Sequence, residues 1–173
     1  ELISNASDAC DKRRFEAIKD NALGSDDLHI KIDFDAEAKT VTISDNGIGM
    51  TRDEVIANIG TIANSGTKKY LESIAKKDRD DANLIGQFGV GFYASFIVAD
   101  EVEIRTLKAG SEASEAISWK SDGKSAYTLE TIEKAEVGTE IILHLREEEA
   151  EFADNFRLKS LVKKYSEHVA FPI

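Results

Sequence analysis

Regular alternation of apolar and polar residues in two neighbouring stretches most constrains the fold of this chain. Apolar residues occupy every second position over 28–34, and the alternation resumes at Val41 and Ile43 after a short polar turn at 35–39. Successive side chains of a strand point to opposite faces of a sheet, so this pattern is typical of half-buried strands. The sequence therefore predicts a hairpin of two strands that ends at Asp45.

Helical periods precede and follow this hairpin. The first helix is predicted to run to about Asp20, and Thr51 with Glu54 forms a capping box for a further short helix. Strand patterns extend over 102–145, and a closing helical period covers 157–168. Without a regular β-α-β alternation, this order favours an α+β fold: a two-layer sandwich with helices on one face of a mostly antiparallel sheet.

Composition restricts the class of ligand. The chain has 173 residues, of which 42% are hydrophobic and 32% charged, so one folded domain over 1–173 is expected. A net charge of -11 disfavours nucleic acid as a partner, because the surface repels a phosphate backbone. A nucleotide remains compatible, since a few backbone N–H groups and one Mg²⁺ neutralise a triphosphate locally. No apolar run reaches the roughly 18 residues of a membrane span, so no membrane partner is expected.

The cysteine and histidine residues offer no metal cluster. A single cysteine, Cys10, excludes an internal disulfide, fits a reducing, cytoplasmic compartment, and is interpreted as a small core residue. His29, His144 and His168 lack metal-ligand spacing. The sequence has no initiator methionine and opens inside a helical pattern, from which we infer that an upstream part is missing.

Four polar residues at the start of the chain repeat with a helical period. Glu1, Asn5, Asp8 and Lys12 stand at i, i+4, i+7 and i+11, a spacing that brings them onto one stripe of an α-helix. Apolar and alanine residues fill the adjoining arc, so the stripe borders a buried face. It is either the edge of a functional site or an exposed polar face that happens to be periodic.

An aspartate at the end of the predicted hairpin enters a glycine turn, Asp45 to Met50. An ionised carboxylate at a partly buried strand end needs a hydrogen-bond donor, and an adenine amine would provide one. Gly47 and Gly49 would let a flat base approach the backbone, and Met50 offers a polarizable wall. The alternative is a tight turn with a purely structural hydrogen bond to the aspartate.

A second group of glycines, Gly86, Gly89 and Gly91, precedes an apolar helical stretch that reaches Ala99. The first N–H groups of a helix lack partners within the helix, so this arrangement predicts an anion site suited to phosphate oxygens. Close packing of a helix against a sheet also selects glycine. The sequence is neither a Walker A loop nor a G-x-G-x-x-G motif.

Two further segments complete the candidate site. The small, polar stretch 60–67 lies between two helical patterns and has the composition of a loop that moves, such as a lid. Thr139 follows Gly138 at the start of a clear strand, where its hydroxyl group would bind a base or a bridging water. The alternative for Thr139 is a simple strand start.

Five segments together resemble the ATP-binding domain of the heat-shock protein 90 family in its bacterial form, within the GHKL ATPase superfamily of gyrase, MutL and histidine kinases. They are ELISNASDA (1–9), SDNGIGMT (44–51), GTIANSGTK (60–68), IGQFGVGFY (85–93) and YSEHVAFPI (165–173). The resemblance spans essentially the whole chain. It implies the Bergerat ATP-binding fold, ATP or ADP with Mg²⁺ as ligands, client proteins and co-chaperones as partners, and a homodimer in the full-length protein.

The resemblance also implies roles for single residues. Glu1 would be the general base that activates the attacking water, and Asn5 would hold Mg²⁺ on the triphosphate. Asp45 would receive the adenine amine, with Gly49 and Thr139 contributing through water. The other implied nucleotide contacts are Asp8 and Lys12 at the mouth of the pocket, Met50, Asn58 and Phe92 around base and ribose, and Gly86, Gln87, Phe88, Gly89, Val90 and Gly91 around the phosphates. Asn64, in the lid segment, stands where the family usually has lysine, which puts a cationic phosphate contact there in question.

These implications lead to a main hypothesis and two alternatives. The main hypothesis is an ATP-binding and weakly hydrolysing chaperone domain whose nucleotide state closes the lid and drives dimer contacts. One alternative is a binding-only nucleotide sensor, because the family is thought to need an arginine from the following domain. The other is a histidine-kinase or topoisomerase module of the same superfamily. Since Glu1 is terminal, we expect the fragment to keep binding around Asn5 and Asp45 and to hydrolyse poorly.

Overall fold

The computed structural model of the chain describes residues 1–24, 26–60, 91–124 and 126–173. Within these residues, one antiparallel sheet has the strand order β1-β2-β6-β3-β4-β5. The strands are β1 (Ile30–Asp35), β2 (Thr40–Asp45), β3 (Ala99–Leu107), β4 (Ala116–Ser121), β5 (Tyr127–Ile132) and β6 (Gly138–Leu145). The predicted hairpin is confirmed, with Ile30 opposite Asp45 and Asp35 opposite Thr40. The predicted α+β class is confirmed as well.

Four α-helices accompany the sheet in the described part of the chain. They are α1 (Leu2–Ala17), α2 (Arg52–Val55), α3 (Ser95–Val98) and α4 (Asn155–Tyr165). Shorter 3₁₀ turns cover Asn21–Leu23, Gly91–Ala94, Ala113–Glu115 and Glu147–Phe152, and a π-helical turn, Ile56–Gly60, follows α2.

Local hydrogen bonds explain where helix bounds differ from the predicted ones. Helix α1 ends before Asp20, whose side chain accepts the N–H of Ala22 and begins a separate 3₁₀ turn. Helix α4 begins two residues early because the Asp154 side chain accepts the N–H of Arg157 at 2.9 Å. The capping box is confirmed: Thr51 Oγ1 accepts from the Glu54 N–H, and Glu54 Oε2 accepts from the Thr51 N–H.

The apolar stretch before Ala99 was predicted as one helix, and that was wrong over its described part. Residues Gly91–Ala94 form a 3₁₀ turn, and α3 contributes only four residues before β3 begins at Ala99. The helical stretch nevertheless ends where the pattern predicted, because Ala99 lies opposite Leu145 of β6. A helix continued through this residue would lose that end of the ladder.

The two faces of the sheet have opposite character. Inward-facing side chains such as Ile43, Val102 and Trp119 form the apolar core with residues of α1, including Cys10. Helix α1 contacts β1 and β2, α2 contacts β4, and α3 contacts β3 and β6. The other face carries charged side chains such as Arg105 and Lys120, which pair with glutamates. The helices therefore cover the apolar face, as predicted from the order of elements.

Cys10 is a core residue, as the sequence predicted. Its side chain is fully buried, and burial raises the pKa of the thiol to about 12. The thiolate is the reactive form of cysteine, so a thiol with this pKa is inert at neutral pH.

Gly138 lets the start of strand β6 lie directly beside the end of β2. Its φ of +120° is a conformation that side-chain-bearing residues rarely adopt. A Cβ at this position would overlap the backbone carbonyl of Asp45 and lie 2.8 Å from the Cα of Asn46. The backbones of Gly138 and Asp45 are therefore so close that no side chain fits between them.

Replacing Gly138 by alanine tests this contact. Gly138→Ala introduces both strain at positive φ and the overlap with Asp45, so we expect it to lower the free energy of unfolding by more than about 4 kcal/mol. Gly110→Ala is the matched control: its φ is +87°, but its Cβ would meet only a leucine methyl carbon at 3.4 Å. The control should lose about 1 to 3 kcal/mol. If urea unfolding gives equal losses of free energy for the two variants, the close contact between Gly138 and Asp45 is contradicted.

Candidate functional site

The polar stripe of α1 lies on the solvent side of the helix. Glu1, Asn5, Asp8 and Lys12 are all exposed. The Glu1 carboxylate lies against the buried Gly91, because a Cβ built on Gly91 would overlap Glu1 Oε2. Tertiary structure thus brings the beginning of the stripe to the end of the predicted glycine segment.

Helix α1 is also packed against the loop that follows Asp45. The N–H of Ile48 donates to the carbonyl of Ala9 at 3.0 Å. A Cβ on Gly47 would lie 2.5 Å from the carbonyl carbon of Ala9 and 2.7 Å from its oxygen. Helix and loop are therefore in backbone contact.

The glycines of this loop have a packing role that the sequence interpretation did not include. Gly47 faces the backbone of α1, and Gly49, at φ +65°, faces the carbonyl of Leu107 in β3. The neighbouring Ile48 carbonyl accepts the N–H of Ala109 at 2.8 Å. The loop is held between α1 and the end of β3, so these contacts fix its conformation in the ligand-free protein.

Asp45 presents a carboxylate on the helix side of the sheet, because it stands at every second position with the buried Val41 and Ile43 along β2 and so shares their face. Its Oδ1 accepts the N–H of Gly47 at 2.9 Å, which is the structural turn bond considered as the alternative. An ionised carboxylate has about four acceptor positions, so this bond leaves capacity for a further donor. The structural bond and an adenine contact are compatible.

The electrostatic environment of Asp45 favours its neutral form. Burial raises the pKa of the carboxyl from 3.8 to about 6, against the opposing effects of backbone hydrogen bonds from Gly47 and Thr139 and of the Lys134 charge. The charge is therefore held at pH 7 at a free-energy cost that a donor from a ligand would reduce. Such a perturbed group is typical of a functional site.

Thr106 is a residue of the candidate site that the sequence analysis missed. Its side chain is fully buried, accepts the N–H of Met50 at 3.0 Å, and lies 2.9 Å from the hydroxyl oxygen of Thr139. It connects the loop after Asp45 with the start of β6. The available signal was a hydroxyl at an inward position of β3, after Val102 and Ile104.

The predicted base and ribose contacts occupy different environments. Met50 is half-buried against the core, and Asn58 is exposed in the π-helical turn. Phe92 is buried, and its ring makes edge-on contacts with Tyr93 and Trp119 at centroid distances of 5.4 and 5.7 Å. Thr139 is buried beside Thr106. Their nucleotide contacts stay predictions.

Other predicted residues lie outside the described ranges. These are the lid segment beyond Gly60 with Asn64, and Gly86, Gln87, Phe88, Gly89 and Val90 of the glycine segment. Where side chains are described, no group of three histidine, cysteine, aspartate or glutamate residues is arranged to hold a metal ion. None of the helices in these ranges is long and apolar enough to cross a membrane.

Removing the Asp45 charge should stabilise the ligand-free protein. The pKa is higher in the folded state, so folding opposes ionisation and stability falls as the pH rises from about 3.8 through 6. Asp45→Asn keeps an acceptor for Gly47 and should raise the free energy of unfolding at pH 7 by about 1 to 3 kcal/mol, since one pKa unit corresponds to about 1.4 kcal/mol.

The control is Asp33→Asn, which removes a half-exposed aspartate that pairs with Lys31 on the outer face of β1. It should change stability by less than about 0.5 kcal/mol. Denaturant titrations at pH 7 and pH 4 measure both variants. If Asp45→Asn does not stabilise the protein at pH 7, or stabilises it equally at pH 4, burial does not raise the pKa of Asp45 as described.

Comparisons with known proteins show which family this chain resembles. A family model described as histidine kinase-, DNA gyrase B-, and HSP90-like ATPase matches residues 1–157. Among curated relatives, each named chaperone protein HtpG, the protein of Hydrogenovibrio crunogenus is 62% identical over 175 aligned residues. The proteins of Magnetococcus marinus and Halorhodospira halophila are 58% and 55% identical. Each alignment covers 100% of this chain but only 27% or 28% of the relative, so the chain spans little more than a quarter of their length.

Proposed function

The chain belongs to the family of histidine kinase-, DNA gyrase B- and HSP90-like ATPases, and from this premise we propose that it is the ATP-binding and ATP-hydrolysing domain of a molecular chaperone. The observation that carries the proposal is the half-buried Asp45 carboxylate at the end of β2, next to a loop that contacts the backbone of α1. It offers a directional acceptor on the side of the sheet that also holds the stripe.

Adenine is the base that fits the acceptor. Its exocyclic amine donates hydrogen bonds, and an ionised Asp45 with unused acceptor positions would receive one. A guanine presents a carbonyl at the corresponding position, and this carbonyl would face the carboxylate with repulsion. The Thr106–Thr139 hydroxyl pair next to Asp45 would accept or donate through water to the neighbouring ring nitrogens.

The phosphates would extend from the base toward the stripe. Asn5 offers an exposed amide oxygen on α1, a hard ligand of the type that Mg²⁺ accepts, and would help to hold the ion on the phosphates. When bound, Mg²⁺ neutralises charge that develops on the transferred phosphoryl group. Asp8 and Lys12 would lie at the mouth of the pocket, and Gly86 to Gly91 would wrap the phosphates.

Glu1 would act as the general base. Its carboxylate is exposed, and its position against Gly91 sets it beside the end of the proposed phosphate loop. A carboxylate there would orient a water molecule and accept its proton as the water attacks the γ-phosphorus. Hydrolysis by the domain alone would be weak, because the catalytic arginine would come from a following domain.

The wider functions concern the longer protein to which the relatives correspond. Nucleotide binding would close the lid at 60–67 and change contacts between two copies, and client proteins and co-chaperones would respond to that change. The protein would act in the cytoplasm. The relatives, at 55% to 62% identity, are named as chaperones, which favours this hypothesis over a histidine-kinase or topoisomerase module. A binding-only sensor is separated from an ATPase by the turnover experiment below.

Nucleotide binding is tested with Asp45→Asn. The amide places a donor and a weaker acceptor where adenine needs an acceptor, so we expect the Kd for ADP, measured by isothermal titration calorimetry, to rise at least about a hundredfold. Asp33→Asn should leave the Kd unchanged within about twofold. An unchanged Kd in Asp45→Asn would refute the base site.

Hydrolysis is tested in the full-length protein with Glu1→Gln. The substitution removes the base but preserves size, so ATP turnover should fall by about 10²-fold to 10⁴-fold while the ADP affinity changes by less than about twofold. Glu16→Gln, at the opposite end of α1, should retain turnover. Phosphate release with matched Mg²⁺ and ATP concentrations measures the rates. Turnover that persists in Glu1→Gln argues against this base, and no turnover in the unmodified full-length protein favours the binding-only sensor.

A further inference from the structure

We propose that Arg13 is a positioning residue for Asp45, acting through the peptide group between Asn46 and Gly47. The ligand identity in this inference rests on the proposed function. The contacts that carry it belong to the ligand-free protein, so they are testable without nucleotide.

Arg13 directs its whole guanidinium group at two backbone carbonyls. Its Nη1 donates to the carbonyl of Asn46 at 2.6 Å, and Nε and Nη2 donate to the carbonyl of Leu23 at 3.0 and 2.7 Å. Its side chain forms no ion pair with any described residue. The neighbouring Arg14 differs, because it is 57% exposed and pairs with Asp11 on the same helix.

The Asn46 carbonyl and the Gly47 N–H belong to one planar peptide group. In a trans peptide the two point in opposite directions, so fixing the oxygen fixes the direction of the hydrogen. The Gly47 N–H donates to Asp45 Oδ1 at 2.9 Å. Arg13, the peptide and Asp45 therefore form one chain of hydrogen bonds, in which each bond polarises the next.

Other contacts limit Asn46 to one position. Its Oδ1 accepts the N–H of His29 at 2.8 Å, and its Nδ2 donates to the carbonyl of Asp27 at 2.6 Å. These bonds tie the side chain of Asn46 to the segment before β1. The bond from Arg13 is what ties its carbonyl to α1.

This arrangement couples the two halves of the proposed site. Helix α1 begins directly after Glu1 and carries Asn5 on its solvent side, and through Arg13 it sets the orientation of the carboxylate that receives the base. A carboxylate that rotates freely would lose directionality toward an adenine amine, and small misplacements weaken such interactions strongly. Arg13 does not itself touch the base in this proposal.

The test is Arg13→Met, which keeps the aliphatic stem and removes the donors. In the ligand-free protein, we expect the Gly47 amide proton to move upfield in a ¹H–¹⁵N spectrum, because its bond to Asp45 weakens. The Kd for ADP should rise about tenfold. Arg14→Met, the matched control, should leave the Gly47 resonance in place and the Kd within about twofold.

Arg13→Lys provides a second variant. A lysine ammonium would reach one carbonyl but lacks the planar fork that spans both, so it should shift the Gly47 resonance in the same direction by a smaller amount. It decides the question if the methionine variant does not fold. If the folded variants have a lower melting temperature but an unchanged Gly47 resonance, the proposal is overturned. If the unmodified protein does not bind ADP, the proposed function fails, whereas the resonance shift still decides the role of Arg13.

Discussion

The backbone contact between helix α1 and the loop after β2 is the constraint on which the rest of the site depends. The Ile48 N–H reaches the carbonyl of Ala9, and Gly47 leaves no room for a side chain between helix and loop. A contact of this kind holds two elements in one relative position, because neither backbone can move without losing hydrogen bonds. The stripe residues of α1 and the carboxylate of Asp45 consequently have a fixed relation, although they come from separate elements.

Two carboxylates of the sheet show how their surroundings set opposite pKa shifts. Burial acts to raise the pKa of both Asp45 and Glu103. In Glu103 the hydrogen bond from Arg105, the charges of Arg105 and Lys120 and the hydrogen bond from Ser118 together outweigh burial, and the pKa is lowered. Asp45 is compensated mainly by backbone N–H groups, and its pKa rises to about 6. A protein maintains such a destabilising charge where a ligand uses it, which is consistent with nucleotide binding at Asp45.

Local patterns were sufficient for much of the fold. The hairpin, the capping box at Thr51 and the burial of Cys10 all follow from interactions within a few residues or from periodicity, so the sequence predicted them. The helix before Ala99 is shorter than its pattern predicted because Gly91–Ala94 form a 3₁₀ turn, whereas its end agrees with the pattern and is set by the pairing of Ala99 with Leu145. Thr106 was missed because its importance arises only from the register that sets β3 beside β6, opposite Thr139.

The sequence by itself determined the residue types of the site: a polar stripe with helical spacing, an aspartate at a strand end, and glycines where the backbone needs close approach. It determined the sheet class as well, because alternation with a short turn admits only an antiparallel hairpin. Only the tertiary structure decided that Glu1 lies against Gly91. It also decided that the Arg13 guanidinium donates its hydrogen bonds to the carbonyls of Asn46 and Leu23. Periodicity specifies which face of an element a residue occupies, whereas distances between elements are set by the packing of the whole core.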